Sequence, residues 1–481
     1  MTVISRLRQA HRNTRLLFTI SWFLLCFPLS CAGSAAAGQD FPLFPVISKN
    51  VQFWEKIYAV YSLKQAVIHD SEDLSRIYQI VSLVDLEAPG AQQQNSAIQK
   101  QACEKYRSIL TKLADQTPSS PEEQRVAALF SGKNGRQEMA LAAGNVRGQS
   151  GQKERFLSGV VTSGAYLTEI RNIFRSYGLP EELAYLPHVE SSFNIKAYSR
   201  IGAAGLWQFT RETGKQYLTI DYTVDTRLDP IAATHAAAKY LAHSFRSLNS
   251  WPLAITSYNY GLGGMMRAVN EEGTYERIFT NYNKGYFKFA SRNFYSEFLA
   301  ARNVAKYLEK NTNSGSAPEA KYRYLNLPDY AHIKEISGHF GLPVAMIAEL
   351  NPALRPPVIS GEKLIPKGYT LRLPAGGKTN QLIASPPPSI FRNEQESSIY
   401  HLVRKGDTAN SIARLHKISL KNLQQANNLD QFASIRLGQS LRIPGKADAT
   451  ADTNLKAKSN STRINIHQNV MTKEALIAKK T

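Results

Sequence analysis

"LPEELAYLPHVESSFN", residues 179–194, decides how the rest of the chain is read. Pro180 at a first helical position, with Glu181 and Glu182 in the first turn, predicts a helix start. Proline lacks only an N–H that is unpaired there, and the acids complement the helix dipole. Leu183, Leu186 and Glu190 follow at three- and four-residue steps and so share one face, with Pro187 expected to kink the turn between them. If the leucines face a core, Glu190 sits at the rim of apolar packing near the helix C-terminus. Partial burial and the negative dipole end both disfavour a charged carboxylate, so the proton should persist near neutral pH. A retained proton is what a general acid needs. An isolated glutamate is usually a solvated surface residue, so the assignment depends on its surroundings.

Working outward, "FLSGVVTSGAYLTEIRNIFRSYG" (156–178) is apolar at Phe156, Val160, Leu167, Ile170 and Phe174 and reads as one long amphipathic helix ended by Gly178. "HAAAKYLAHSFRSL" and "FYSEFLAARNVAKYLEK" are further helices, and no run between residues 152 and 312 alternates with period two. Three stretches carry chemistry. "GAAGLWQF" (202–209) is small and flexible before Trp207 and Gln208. "AITSYNYGLGG" (254–264) sets Tyr258 and Asn259 beside glycines that admit a ligand close to the backbone. "NFYSEF" (293–298) supplies Tyr295. Rings that stack on sugar faces and amides that bond hydroxyl and acetamido groups suit a glycan cleft.

In that order, "ESSFN", "GAAGLWQF", "SYNYG" and Tyr295 resemble the four motifs of the lysozyme-like (SLT) lytic transglycosylases of bacterial peptidoglycan. The resemblance covers roughly residues 160–312 and implies a mainly α, lysozyme-like helical catalytic domain over residues 152–312. Glu190 would be its single catalytic acid/base. Ser191 would orient it, and Gln208, Tyr258, Asn259 and Tyr295 would bind substrate. Ser257 stands where the family usually has Ala. An ordinary glycosidase needs two carboxylates. The nearest downstream candidates, Asp225 and Asp229, read better as helix-start or surface residues.

Beyond residue 320 two short units repeat one design. "IYHLVRKGDTANSIARLHKISLKNLQQANNLDQFASIRLGQSLRIP" (399–444) reads as strand–helix–helix–strand, with Asp407 or Thr408 capping the first helix and Ser419 the second. It resembles the LysM module that binds N-acetylglucosamine-containing glycans, a small βααβ (α+β) domain. That likeness offers Gly406, Asp407, Thr408 and Asn428 as glycan-binding residues, with Ala409 in place of a bulkier apolar residue. Residues 324–375 repeat the order without the "GDT" turn and resemble a degenerate LysM. Residues 376–398 read as a Pro/Ser-containing linker and 445–481 as a basic disordered tail.

The formal net charge of +20 calls for an anionic partner: nucleic acid, membrane surface or cell-wall polymer. Arg6, Arg8, His11, Arg12 and Arg15, then "LLFTISWFLLCFPLS", then "AGSAAAG" predict a secretory signal over residues 1–37. "PLSC" also offers Cys31 as a lipidation site, the alternative being cleavage after Ala37. Export argues against nucleic acid. It favours peptidoglycan glycan strands in the periplasm, with outer-membrane anchoring if Cys31 is lipidated. Cleavage after Ala37 would leave Cys103 the only thiol, so no internal disulfide forms, and the scattered histidines show no metal-ligand spacing. No cofactor is implied and no oligomeric state is set. Residues 40–150 read as a mostly helical region of unassigned role, its stripe Phe53, Trp54, Ile57, Tyr58 and Tyr61 predicted to be core.

Overall fold

The computed structural model describes residues 40–311, 322–383, 386–396 and 398–444; the expected signal segment, Cys31 and the basic tail lie outside them. The fold is mainly helical with small antiparallel sheets.

The expected boundary near residue 150 does not separate two cores. Helix Ser48–Ala59 buries Val51, Phe53, Trp54, Ile57 and Tyr58 in the same core as the helices from residue 153 to 311. It lies along helix Phe289–Asn311, where Asn50 and Trp54 donate to the Asn293 side-chain oxygen at 2.8 and 3.4 Å. A second core lies between helices Ala91–Asp115 and Gly135–Gly144 and a three-stranded sheet. Its central strand, Gln65–Asp70, pairs antiparallel with Ile77–Ser82 on one side and Val146–Ser150 on the other. The helical reading of residues 40–150 therefore omits a sheet. Five successive residues of the central strand are buried, so no polar alternation marks it.

Two helix readings are also corrected. Residues 153–176 form two helices, Lys153–Ser163 and Leu167–Ser176, broken at Gly164–Tyr166. The run "TSGA" is poor helix former on balance, and turn bonds from Ala165 N to Thr162 O and Tyr166 N to Ser163 O take over there. The segment after Pro180 is a 3₁₀ turn, Glu181–Tyr185, followed by an α-helix, Leu186–Glu190. Pro187 therefore sits in the first turn of a new helix, where its missing N–H costs nothing, and it makes no kink.

The LysM-like reading of residues 399–444 appears as strand Ile399–Leu402, helices Ala409–Leu415 and Leu420–Asn427, and strand Ser440–Ile443, with the two strands antiparallel. Thr408 caps the first helix through Ser411 N, and Ser419 caps the second through Asn422 N. Residues 322–374 repeat the plan, Tyr322–Asn326 pairing with Thr370–Pro374. The repeat extends to single side chains. Asn427 exchanges two hydrogen bonds with the Arg442 backbone at 2.8 and 2.6 Å, and Asn351 does the same with Arg372 at 2.8 and 2.8 Å. Tyr400 faces Arg442 across one strand pair as Tyr324 faces Arg372 across the other.

The expected linker is partly built into the first repeat. Phe391–Arg392 pairs with Tyr330–Ala331, Ile390 enters that repeat's core, and Gln395 brackets Leu364 through its amide. That repeat also docks on the helical domain. Asp225 N donates to Ala353 O and Arg355 N to Thr223 O, while Val224 is buried in the repeat's core.

Candidate active site

Glu190 ends its five-residue helix, and the chain then reverses sharply. Ser192 and Phe193 both adopt left-handed backbone, φ 49° and 57°, which costs a non-glycine residue roughly 1–3 kcal/mol. The reversal packs against Gly159, where an added Cβ would lie 2.6 Å from the Ser192 carbonyl oxygen. Such strain is kept where the surroundings over-determine it, and here it places Glu190 and Ser191 at a fixed corner.

Loop 202–209 joins the motifs at this corner. The Ser191 hydroxyl donates to Leu206 O at 2.8 Å, and the Tyr258 hydroxyl donates to Trp207 O at 2.8 Å. Gln208, itself left-handed at φ 48°, donates its amide to Gly205 O at 2.7 Å. Gly205 has φ 77°, and an added Cβ would meet Arg227 O at 1.8 Å, so only glycine fits. Arg227 is buried against Asp225 at 2.8 Å and reaches Gly202 O and Phe209 O, bracing the loop from beneath. Asn259 is exposed, with its side-chain oxygen accepting from Ser291 at 2.7 Å.

Glu190, Ser191, Gln208 and Tyr258 thus meet at one partly exposed corner, and Asn259 follows Tyr258 on exposed surface. Two expectations fail. Trp207 is fully buried and donates its indole N–H to Thr234, so it is core and offers no face for a sugar. Tyr295 is also fully buried, with its hydroxyl donating to Pro42 O at 2.9 Å and its ring edge-on to Tyr275. It pins the N-terminal segment to the last helix and does not line a cleft.

The electrostatics fit an acid. Desolvation pushes the Glu190 carboxyl up to about 8, and the charge of Glu297 adds to the rise. Glu297 was missed in the sequence, two residues beyond the Tyr295 that was singled out. Burial pushes it up to about 8 as well, against the opposing pull of a hydrogen bond from Tyr58 and the charge of Arg147. Asp225 and Asp229 are engaged elsewhere. Asp225 caps the turn Thr226–Leu228, and Asp229 caps helix Pro230–Leu248 through Ile231 N and Ala232 N.

In the LysM-like unit, the expected glycan-binding residues build the fold. Gly406 takes φ 93° in the turn, Asp407 accepts from Arg404 N at 2.8 Å and faces His401 at 3.0 Å, and Asn428 ends its helix in left-handed conformation. Asn428 is exposed.

Residues 170–280 match the family described as Transglycosylase SLT domain, and residues 401–444 match the LysM domain. Membrane-bound lytic murein transglycosylase D of Escherichia coli (strain K12) is 26% identical over 295 residues, 59% of this chain and 64% of that protein; its counterpart in E. coli O6:H1 gives the same figures. The chain therefore spans somewhat less than two thirds of those relatives. A protein named for tributyltin chloride resistance from Alteromonas sp. (strain M-1) is 36% identical over 107 residues, 22% of this chain and 52% of that protein. Among the described residues no helix is long and apolar enough to cross a membrane. The chain carries a transglycosylase SLT domain, matched over residues 170–280, followed by a C-terminal LysM domain.

Proposed function

We propose that this chain is a peptidoglycan lytic transglycosylase. It cleaves the β-1,4 bond between N-acetylmuramic acid and N-acetylglucosamine and leaves 1,6-anhydromuramyl ends. The observation that carries the reading is Glu190, a carboxyl raised to about 8 at the corner where the "ESSFN", "GAAGLWQF" and "SYNYG" segments meet. Protonated at neutral pH, Glu190 donates to the oxygen leaving C1 while the substrate's own acetamido group stabilises the positive centre. The Glu190 carboxylate then takes the proton from the C6 hydroxyl as that oxygen closes onto C1. One C–O bond breaks, one forms, the proton on Glu190 is restored, and no water is consumed.

Hydrolysis would need a second, ionised carboxylate to activate water or attack C1. Glu297 is the other carboxyl raised by burial in this region, to about 8, which disfavours the ionised form that either task requires. The LysM domain supports glycan binding and would raise the effective substrate concentration at the cleft. The basic, apolar and small-residue order of residues 1–37 supports export to the periplasm, with lipid at Cys31 as the means of outer-membrane anchoring.

The test is mass spectrometry of muropeptides released from purified sacculi by the wild type and by Glu190→Gln. Anhydromuramyl products from the wild type alone are expected, with sacculus binding retained by the variant. Reducing ends carrying added water, or cleavage by the folded variant, would overturn the reading.

A further inference from the structure

The second repeat holds a chain of three side chains that the catalytic chemistry does not use. His401 stands on strand Ile399–Leu402, Asp407 in the turn that follows, and His416 at the C-cap of helix Ala409–Leu415. His401 Nε2 lies 3.0 Å from Asp407 Oδ2, and His401 Nδ1 lies 3.0 Å from His416 Nε2, with the two rings edge to face. The same Asp407 oxygen accepts from Arg404 N at 2.8 Å, and Asp407 N donates back to Arg404 O at 3.0 Å. One run of hydrogen bonds therefore ties strand, turn and helix together, and all three residues are partly buried. It is not a metal centre. Both His401 nitrogens are already engaged, and among the described residues no group of histidines, cysteines and acids could hold a metal ion.

The partners dictate where the protons sit. The bond from Arg404 N, and then that from His401, holds the Asp407 carboxyl below its ordinary value, so it is ionised at neutral pH and only accepts. His401 Nε2 must then carry a hydrogen, which leaves Nδ1 of the neutral ring as an acceptor, and His416 Nε2 must donate to it. One added proton fits. His401 becomes an imidazolium that donates at both ends, and His416 turns acceptor by moving its hydrogen to Nδ1. A second proton does not fit, because two imidazoliums would face each other N–H to N–H across 3.0 Å with no lone pair between them. Burial, and then the charge of His401, accordingly hold His416 below the ordinary histidine value.

We propose that His401 and His416 are positioning residues for the turn at Asp407, the turn that the LysM likeness offers to glycan, and that a second proton on the pair breaks the chain and releases the module from the wall. This inference rests on the reading of residues 399–444 as the wall-binding module. The charged side chains around the chain are Arg404 and Lys405 in the turn, Arg414 on the first helix, Lys417 beyond it, and Lys421 on the second helix with Asp430 after it. From the opposite strand Leu441 faces His401, while the next residue, Arg442, lies on the other face of the pair over the Tyr222 and Tyr400 rings. Lysines and arginines keep their charge below neutral pH, and bonds from Ser434 hold Asp430 low. The two imidazoles are therefore the groups that change charge as the medium turns acid. A state that needs His416 neutral is favoured above its titration and lost as pH falls through it. Glu190, raised to about 8, keeps its proton over the same range, so acid acts on the tether and spares the catalytic proton.

The experiment follows retention of the full chain on fully acetylated chitin, a neutral N-acetylglucosamine polymer, in the Glu190→Gln background so that nothing is cut. Chitin has no charge of its own to titrate, unlike the peptide stems of the wall. The module's share is the retention that Asp407→Ala removes. That share should be constant from about pH 8 to about 6.5 and then weaken by up to about tenfold per pH unit, the limit for one linked proton. His416→Gln, whose amide still donates to His401 but takes no charge, should be retained like its parent at pH 8 and stay retained in acid. His401→Gln, which bridges Asp407 and His416 with one uncharged amide, should do the same and serves where His416→Gln fails to fold. Nitrogen NMR of the imidazoles reads the protons directly, and at pH 8 both rings should carry theirs on Nε2. A module share indifferent to pH, an acid loss with the same midpoint in a folded glutamine variant, or a His401 ring with its hydrogen on Nδ1 at pH 8 would each overturn the proposal alone. No module share at pH 8 would remove the wall-binding reading and the proposal with it.

Discussion

At the residue scale, the burial that raises the Glu190 carboxyl should also weaken the fold. Its folded value near 8 lies well above the 4.5 of an exposed glutamate, so the native state holds a proton that the unfolded chain has released. The stability this supplies is full below about pH 4.5 and is lost as pH rises through about 8. Glu297 behaves the same way. His188 has the opposite sign. Both of its ring nitrogens are buried without a partner, and burial pushes it down to about 3. Its contribution is therefore present above about 6.5 and lost in acid. Glu190→Gln removes the buried carboxyl and leaves the histidine in place. The variant should be more stable than wild type at pH 8 by a few kcal/mol, on the order of what a shift of this size carries, with the gap shrinking toward pH 5. Thermal unfolding at the two pH values checks this. A gap independent of pH would mean that the carboxyl is solvated and not held neutral.

At the scale of single elements, the two repeats show what a side chain does when it replaces a missing strand partner. Asn427 occupies the N–H and C=O of Arg442 with both ends of its amide, as Asn351 does for Arg372. Asn427→Ala leaves those backbone groups unpaired beside a small core and should cost roughly 1–3 kcal/mol. The expected result is weaker retention on sacculi with turnover of soluble glycan fragments unchanged, read by co-sedimentation and product release. Undiminished retention would exclude a part for this module in wall binding. The same elements explain which parts of the fold were legible. "GDT", Ser419 and "Leu-Arg-x-Pro" are local signals, and each marks its cap or strand where it stands. Strand Gln65–Asp70 carries no such mark, because it is buried along its length and one partner, Val146–Ser150, lies far along the chain. Glu190, Ser191, Gln208, Tyr258 and Asn259 could be proposed from the sequence because their motifs are contiguous. The burial of Glu297 could not be read there, since its partner Tyr58 arrives from a helix that is distant in sequence. Tyr295 misled for the related reason that its partner, Pro42, is just as remote.

At the scale of the whole molecule, the first repeat supports loop 202–209 more than its likeness to a wall-binding module suggests. It grips segment 221–229 through Ala353, Leu354 and Arg355, and that segment carries Arg227, which braces loop 202–209 against the active-site corner. The grip is fastened by Arg372, 5% exposed, whose guanidinium lies 3.3 Å from Asp229 and over the rings of Tyr322 and Tyr324. Arg442 occupies the equivalent place in the second repeat and lies 4.5 Å over Tyr222, so both repeats turn the same arginine toward the same stretch of the helical domain. Removing one partner of a buried pair leaves a charge behind, typically at about 3–5 kcal/mol. Asp229 would keep its two helix N–H donors, so the loss in Arg372→Met should fall mainly on the docking of the repeat. Calorimetry of the full chain should then resolve an earlier transition absent from the wild type. The rate on sacculi should fall as segment 221–229 loosens, while retention through residues 399–444 persists. An unchanged single transition with full activity would mean that loop 202–209 is held by the helical domain alone. Loss of retention together with activity would mean that the two repeats act as one wall-binding surface and not as brace and tether.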